Sequence, residues 1–252
     1  MVHEVAAAGF ADATDYEATR PPYPPEAVAW IVGRIRPAPG RPVCDLAAGT
    51  GKLTRLLVGA GLPVVAVEPV AGMRAGFRAV LPSVPLVAGT AEALPFADGS
   101  LAAVTVAQAF HWFDTDRAAA ELARVLPRGG VVACCWNARD RSVEWADRVW
   151  AVTDRVEAAA PWRDRERGRA GAPALEGFER LGDAEFHHEH ALTPDAVVRR
   201  VASVSHVAVL PGRERAAVLE EVRGILRSHP QTRDREVVHL RYRVDCVAFA
   251  RT

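Results

Sequence analysis

The sequence predicts a doubly wound, mostly parallel α/β fold with a helical cap and an antiparallel pair of strands at one sheet edge. Three observations predict it. Short apolar runs alternate with helix-like segments through the first half of the chain. Those runs are apolar almost throughout, as strands are when helices cover both faces of a parallel sheet. After Trp136 the alternation stops and helical stretches dominate. Strands alternating with helices mean βαβ units, which wind right-handed and place their binding crevice at the carboxyl ends of the strands.

The elements follow in order. The proline cluster at Arg20–Pro25 excludes helix before it and suits the start of a helix over Glu26–Ile35. Strand Pro42–Ala47 leads into helix Gly51–Gly61, and strand Pro63–Val67 into helix Ala71–Leu81. Pro85–Ala88 and Leu101–Ala107 read as the third and fourth strands. A helix near Asp116–Leu126 and a fifth strand over Gly130–Trp136 come next. Helices are then expected near Glu144–Ala160, Pro194–Val204 and Arg213–Arg227, with Arg163–Pro173 an exposed charged loop. Glu185–Leu192 and Leu240–Ala250 are expected to pair antiparallel at the far sheet edge. This divides the chain into an N-terminal segment and α/β core (1–136), a helical cap with one edge strand (137–239), and a strand returning to the core sheet (240–252).

Composition narrows the function classes. Lys plus Arg and Asp plus Glu both number 31, so the formal net charge is zero and supplies no general attraction for nucleic acid or an anionic membrane. The basic run Arg163–Arg169 reads as a solvated loop or helix end. Cys44, Cys134, Cys135 and Cys246 form no C-x-x-C pair and sit in apolar surroundings, which reads as buried free thiols in a reducing compartment. Adjacent Cys134 and Cys135 point to opposite faces of a strand and suit neither a mutual disulfide nor a shared metal. No secretory signal and no stretch of membrane-spanning length is found, so a cytoplasmic protein is expected. The sequence leaves the oligomeric state open.

The chemistry centres on Val43-Cys-Asp-Leu-Ala-Ala-Gly-Thr-Gly-Lys52, which follows a strand and opens a helix. Gly49 and Gly51 let the backbone turn sharply and approach a ligand, and the helix start offers free N–H groups. Dinucleotide-binding folds share this much. Asp45, at the end of an apolar strand, would repel a pyrophosphate but suits a ligand with a cationic amino group. The spacing is A-x-G-x-G from Ala47, not G-x-G-x-x-G, and Thr54 stands where a third dinucleotide glycine would fall. Glu68, at the tip of the next strand, can accept hydrogen bonds from both hydroxyls of a ribose.

These residues resemble the class I S-adenosylmethionine-dependent methyltransferases, a Rossmann-like family. The resemblance continues in Gly89-Thr-Ala-Glu-Ala-Leu-Pro-Phe-Ala-Asp-Gly-Ser100, in Ala107-Gln-Ala-Phe-His-Trp-Phe-Asp114 and in Ala123-Arg-Val-Leu-Pro-Arg-Gly-Gly130. Phe10, Tyr16 and Arg20-Pro-Pro-Tyr-Pro24, with the later stretch from Ser203-Val-Ser205 to Arg213, are similar to the type 11 branch that includes trans-aconitate methyltransferases. The resemblance implies S-adenosylmethionine as cofactor, S-adenosylhomocysteine as its product, and methyl transfer to a small-molecule acceptor on O, N or C. It implies that Asp45 and the Ala47–Gly51 backbone hold the methionine end. Glu68 takes the ribose, Met73 packs on the adenine, and Thr90, Ala91 and Glu92 bracket the adenine edge. Gln108 and Ala109 approach the methionine moiety, while Tyr16 and Arg20 belong to a lid, with Arg20 near the cofactor carboxylate. The chain departs from the family pattern twice. Ala47 replaces the first glycine, which requires a backbone there that avoids positive φ. Thr90 replaces an Asp, keeping an acceptor without its charge.

His111 follows the fourth strand, where acceptor and methyl donor should meet. A histidine's ordinary pKa near 6.5 suits a general base, and a positioning role is the alternative. His187-His-Glu-His190 places His188 and His190 on one strand face and His187 on the other, too few ligands for a metal site. Ser203, Ser205 and His206 lack a nucleophile elbow and are expected to line or support the acceptor side. Trp145, Trp150 and Trp162 in the cap could form an apolar acceptor pocket or core; the first two are five apart, poor spacing for one face. No Asn/Asp-Pro-Pro-Tyr/Phe stretch follows the fourth strand, as methylation of an extruded adenine would need. Two other readings compete. A nicotinamide-dependent oxidoreductase is opposed by Asp45 and the glycine spacing. A non-catalytic protein on the same fold is kept open by Ala47 and Thr90.

Overall fold

The computed structural model describes residues 17–159 and 174–252. Tyr16, Trp162 and the run Arg163–Arg169 lie outside these. The described strands are β1 (Val43–Leu46), β2 (Val64–Val67), β3 (Leu86–Val87), β4 (Ala103–Ala107), β5 (Val131–Arg139), β6 (Phe178–Leu192) and β7 (Val238–Arg251). The helices are α1 (Pro25–Val32), α2 (Lys52–Gly59), α3 (Ala71–Val80), α4 (Thr115–Val125), α5 (Glu144–Ala158), α6 (Pro194–Ala202), α7 (Ser205–Ala208) and α8 (Gly212–Ser228).

The strands form one sheet in the order β3-β2-β1-β4-β5-β7-β6. β1 pairs parallel with β2 on one side and β4 on the other, so the strand order reverses there and opens a crevice at the carboxyl ends. β1 and β2 are buried at every position because helices cover both faces. α4 is started by Asp114, whose carboxylate accepts from the Arg117 N–H at 3.4 Å. Thr193 caps α6, accepting from Ala196 N–H at 3.1 Å ahead of Pro194 at the first helical position.

β7 runs antiparallel to both β5 and β6, so the expected antiparallel edge pair is present. Both of its strands are longer than the sequence suggests. β5 also continues past Trp136 to Arg139, because β7 pairs with it as far as Arg139↔Tyr242. Two short elements were not expected, α7 and a 3-10 turn at Phe110–Trp112. The core has three clusters. Leu46, Val67, Val106 and Leu122 pack between one sheet face and α4. Ile31, Leu57, Val64 and Cys246 pack between the other face and α1 and α2. Trp145, Trp150, Val201 and Ile225 pack with Leu240 and Tyr242 beneath the cap helices, so Trp145 and Trp150 are core residues despite their spacing. All four cysteines are buried and free. Among the described residues no helix is long and apolar enough to cross a membrane.

Candidate functional site

The loop from β1 to α2 is built on left-handed backbone. Ala47, Gly49 and Gly51 have φ of 55, 58 and 87°. The expectation that Ala47 avoids positive φ is therefore wrong: the chain keeps the glycine conformation and carries the strain of a Cβ in it. At Gly51 a Cβ would lie 2.7 Å from Leu81 Cδ1 and 3.0 Å from Phe77, so α3 packs directly against the helix start. At Gly49 a Cβ would meet nothing within 4 Å. Gln108, the residue after β4, is also left-handed at φ 60°, and its N–H donates to Cys135 O at 2.9 Å.

Two buried carboxylates frame this loop. Asp45 is 1 % exposed. It accepts from Thr54 Oγ1 at 2.5 Å and from Thr105 Oγ1 at 3.0 Å, and burial pushes its carboxyl up to about 6. Glu68 Oε2 accepts from Gly49 N–H and Oε1 from Val70 N–H, both at 2.8 Å, while burial raises its pKa. Each Glu68 oxygen holds one N–H and keeps a lone pair for a further donor.

The segment after residue 16 straps the loop to the cap. The Glu17 carboxylate accepts from Thr50 Oγ1 at 2.5 Å and pairs with Lys52 and Arg55. Burial raises the Glu17 pKa, but those hydrogen bonds and cations outweigh it and hold the group below its ordinary range. Arg20 Nη2 donates to Ser203 O at 2.8 Å, and Asn137 Nδ2 to Pro22 O at 3.3 Å.

A cavity of about 920 Å³ opens at the strand ends, within the usual size of a small-ligand site. Of the residues picked out from sequence, Arg20, Asp45, Ala47, Gly49, Gln108, His111, Ser205 and His206 line it. His111 is half-buried, its ring centroid 4.8 Å from that of Trp112. Gly51, Glu68, Met73, Thr90, Ala91, Glu92 and Ala109 are outside its lining. Two of these do something else. The Glu92 carboxylate accepts from Asp114 N–H at 3.0 Å at the start of α4, and Ala109 packs into the core. Met73 and Ala91 are buried, and Thr90 is half-buried beside Ala93.

The sequence reading missed Asn137, Arg139 and Arg200, which complete the cavity wall. Arg200 had a signal: in α6 it follows Ala196 and Val197 by four and three residues, which puts a cation on the apolar face. His188 and His190 share a face as expected. His188 Nε2 donates to Asn137 Oδ1 at 2.8 Å and its ring stacks on Tyr242, while burial, then Lys52, lowers His190 to about 4. Among the described residues no group of His, Cys, Asp and Glu could hold a metal.

This strand order, the glycine loop after β1, the carboxylate at the tip of β2 and the cap over the strand ends define a Rossmann-like methyltransferase fold. Residues 44–134 match the methyltransferase-domain family of type 11. An uncharacterized methyltransferase of Mycobacterium tuberculosis is 40 % identical over 232 residues, covering 92 % of this chain and 90 % of that protein. An uncharacterized methyltransferase-like protein of Schizosaccharomyces pombe is 31 % identical over 238 residues, with the same coverage. A solved structure assigned as a type II methyltransferase from Anaeromyxobacter dehalogenans superposes with a TM-score of 0.67 at 27 % identity, over 91 % of this chain and 97 % of that one. The chain belongs to the class I S-adenosylmethionine-dependent methyltransferases. It is an enzyme whose cofactor is S-adenosylmethionine, which sets aside the nicotinamide and non-catalytic readings. The loop fits that cofactor: the open side of Gly49 and the free lone pairs of Glu68 are what its approach needs.

Proposed function

We propose that the enzyme methylates a small molecule held in the cavity between the carboxyl end of β4 and the cap. The observation that carries this is the continuous lining of one cavity by the glycine loop, by Gln108 and His111 after β4, and by Arg200 and His206 of the cap. When bound, S-adenosylmethionine supplies an electrophilic methyl group on a sulfonium. The protein binds and orients. Asp45 and the Ala47–Gly51 backbone hold the methionine end, Asp45 acting through a carboxylate pinned by two threonine hydroxyls. Glu68 takes the ribose diol. Met73, Thr90 and Ala91 serve the adenine, with Glu92 contributing only by fixing the start of α4. Gln108 and Arg20 bound the methionine side of the cavity. His111 contacts the acceptor and orients its nucleophile for in-line attack. The four buried free thiols fit a cytoplasmic enzyme.

Calorimetric titration with S-adenosylmethionine and S-adenosylhomocysteine, with NADH as control, tests the cofactor roles. Both sulfur nucleosides should bind and NADH should give no heat. Glu68→Ala, which removes hydrogen bonds to a charged acceptor, should weaken binding roughly ten- to a hundredfold. Unchanged affinity in that variant would move the ribose elsewhere.

A further inference from the structure

Arg200 is 5 % exposed and lines the cavity. Its Nε and Nη1 are buried without hydrogen-bond partners. A guanidinium stays charged at any pH the fold survives, and a buried charge lacking a counter-ion is costly. The neighbouring arginines are satisfied. Arg139 donates to Thr153 and Asp154, and Arg141 pairs with Asp147 and Asp154. Behind Arg200, in the core under the cap and off the cavity wall, Trp150 Nε1 and Tyr242 Oη also lack partners. Arg200 Cζ lies 5.6 Å from the Trp150 ring, which is 6.4 Å from that of Tyr242. The indole is fully buried and the phenol 1 % exposed. A guanidinium on the cavity wall with two donor nitrogens lacking acceptors is a receptor for an oxyanion.

We propose that Arg200 holds an oxyanion of the methyl acceptor, a carboxylate or a phosphate, at the cap end of the cavity. This rests on the reading that a small molecule is methylated there. The anion is a handle and not the atom methylated: oxygen lone pairs engaged by a guanidinium are poor nucleophiles. Methyl transfer therefore takes place at a second group of the acceptor, nearer Gln108 and His111, and the product keeps its charge.

The test is calorimetric titration of benzoate and, separately, of inorganic phosphate into protein saturated with S-adenosylhomocysteine. It compares the wild type with Arg200→Met and Arg200→Lys. The wild type should bind at least one anion saturably, and the tighter of the two separates carboxylate from phosphate. Binding should weaken roughly ten- to a hundredfold in Arg200→Met and recover in part in Arg200→Lys. S-adenosylhomocysteine should bind all three proteins equally. Its failure to bind the wild type would count against the cofactor roles alone, and the anion titrations would then be run on the free protein with the same expectations. Without anions, Arg200→Met should melt about 3 °C higher, because it removes an unpaired buried charge; a purely structural arginine would make it melt lower. No saturable binding of either anion to the wild type, equal binding to Arg200→Met, or a lowered melting temperature overturns the proposal.

Discussion

Ala47 keeps a left-handed backbone at φ 55°, where a Cβ costs about 1–2 kcal/mol. Replacing it by glycine removes that strain but adds about 0.5–1 kcal/mol of chain entropy. Ala47→Gly should therefore stabilise the enzyme by up to about 1 kcal/mol and raise its melting temperature by about 2 °C. A fall in a thermal scan would mean that the packing of the Ala47 methyl against the core exceeds its strain. Asp45, beside it, behaves in the opposite sense to a surface carboxylate. Burial pushes its folded pKa up to about 6, above the unfolded value of 3.8. Between these values the folded state binds more protons than the unfolded one, so stability falls as pH rises through that window. Wild type should lose about 2 kcal/mol from pH 4 to pH 6.5 relative to Asp45→Asn, read by denaturant titration. A bound ligand with an ammonium group favours the ionised form. At pH 6 its binding should then release up to about half a proton, measurable as a dependence of binding heat on buffer ionisation enthalpy.

At the level of elements, the strap after residue 16 couples loop and cap. Glu17 holds Thr50, Lys52 and Arg55 on the loop side, and Arg20 reaches the α6–α7 junction. Half-buried ion pairs still open to solvent contribute about 1 kcal/mol, so Glu17→Gln should weaken S-adenosylhomocysteine about threefold and flatten the salt dependence of its binding. Unchanged affinity would show that the strap closes without helping the loop. The alternation of apolar runs and helices was legible in the sequence, and so was the loop, because Asp45, Gly49 and Gly51 have a local reason for their positions. The wall opposite the loop was not. Asn137 belongs to a strand extended by pairing with β7, a partner about a hundred residues later in the chain. Glu17 is defined by the cations it meets, and Thr54 and Thr105 by a carboxylate that no local pattern assigns to them. Arg200 alone carried a readable mark, a cation on an apolar helix face. The left-handed Ala47 ran against its residue type, as strained positions at functional sites often do.

Across the whole molecule, the question is whether cap and core behave as separate units. The cap helices have their own buried cluster around Trp150, distinct from the two clusters on the sheet faces. Yet β7 runs through both regions: Leu240 and Tyr242 lie under the cap, while Val244 and Cys246 lie beneath α1 and α2. β5 and β6 are hydrogen-bonded to it along the same span. A cap that melted alone would strip one face of these strands while their ladders stayed intact, exposing Leu240 and Tyr242 without releasing their backbone. That intermediate loses burial and gains little chain entropy, so we expect one cooperative transition. Trp150→Ala, cutting a fully buried indole from the cap, should cost about 3–5 kcal/mol and lower the single melting transition as a whole. Calorimetric and van't Hoff enthalpies should remain equal in the variant. Two resolved transitions, with the upper one unmoved, would make the cap an independent unit and leave β7 as no more than its tether.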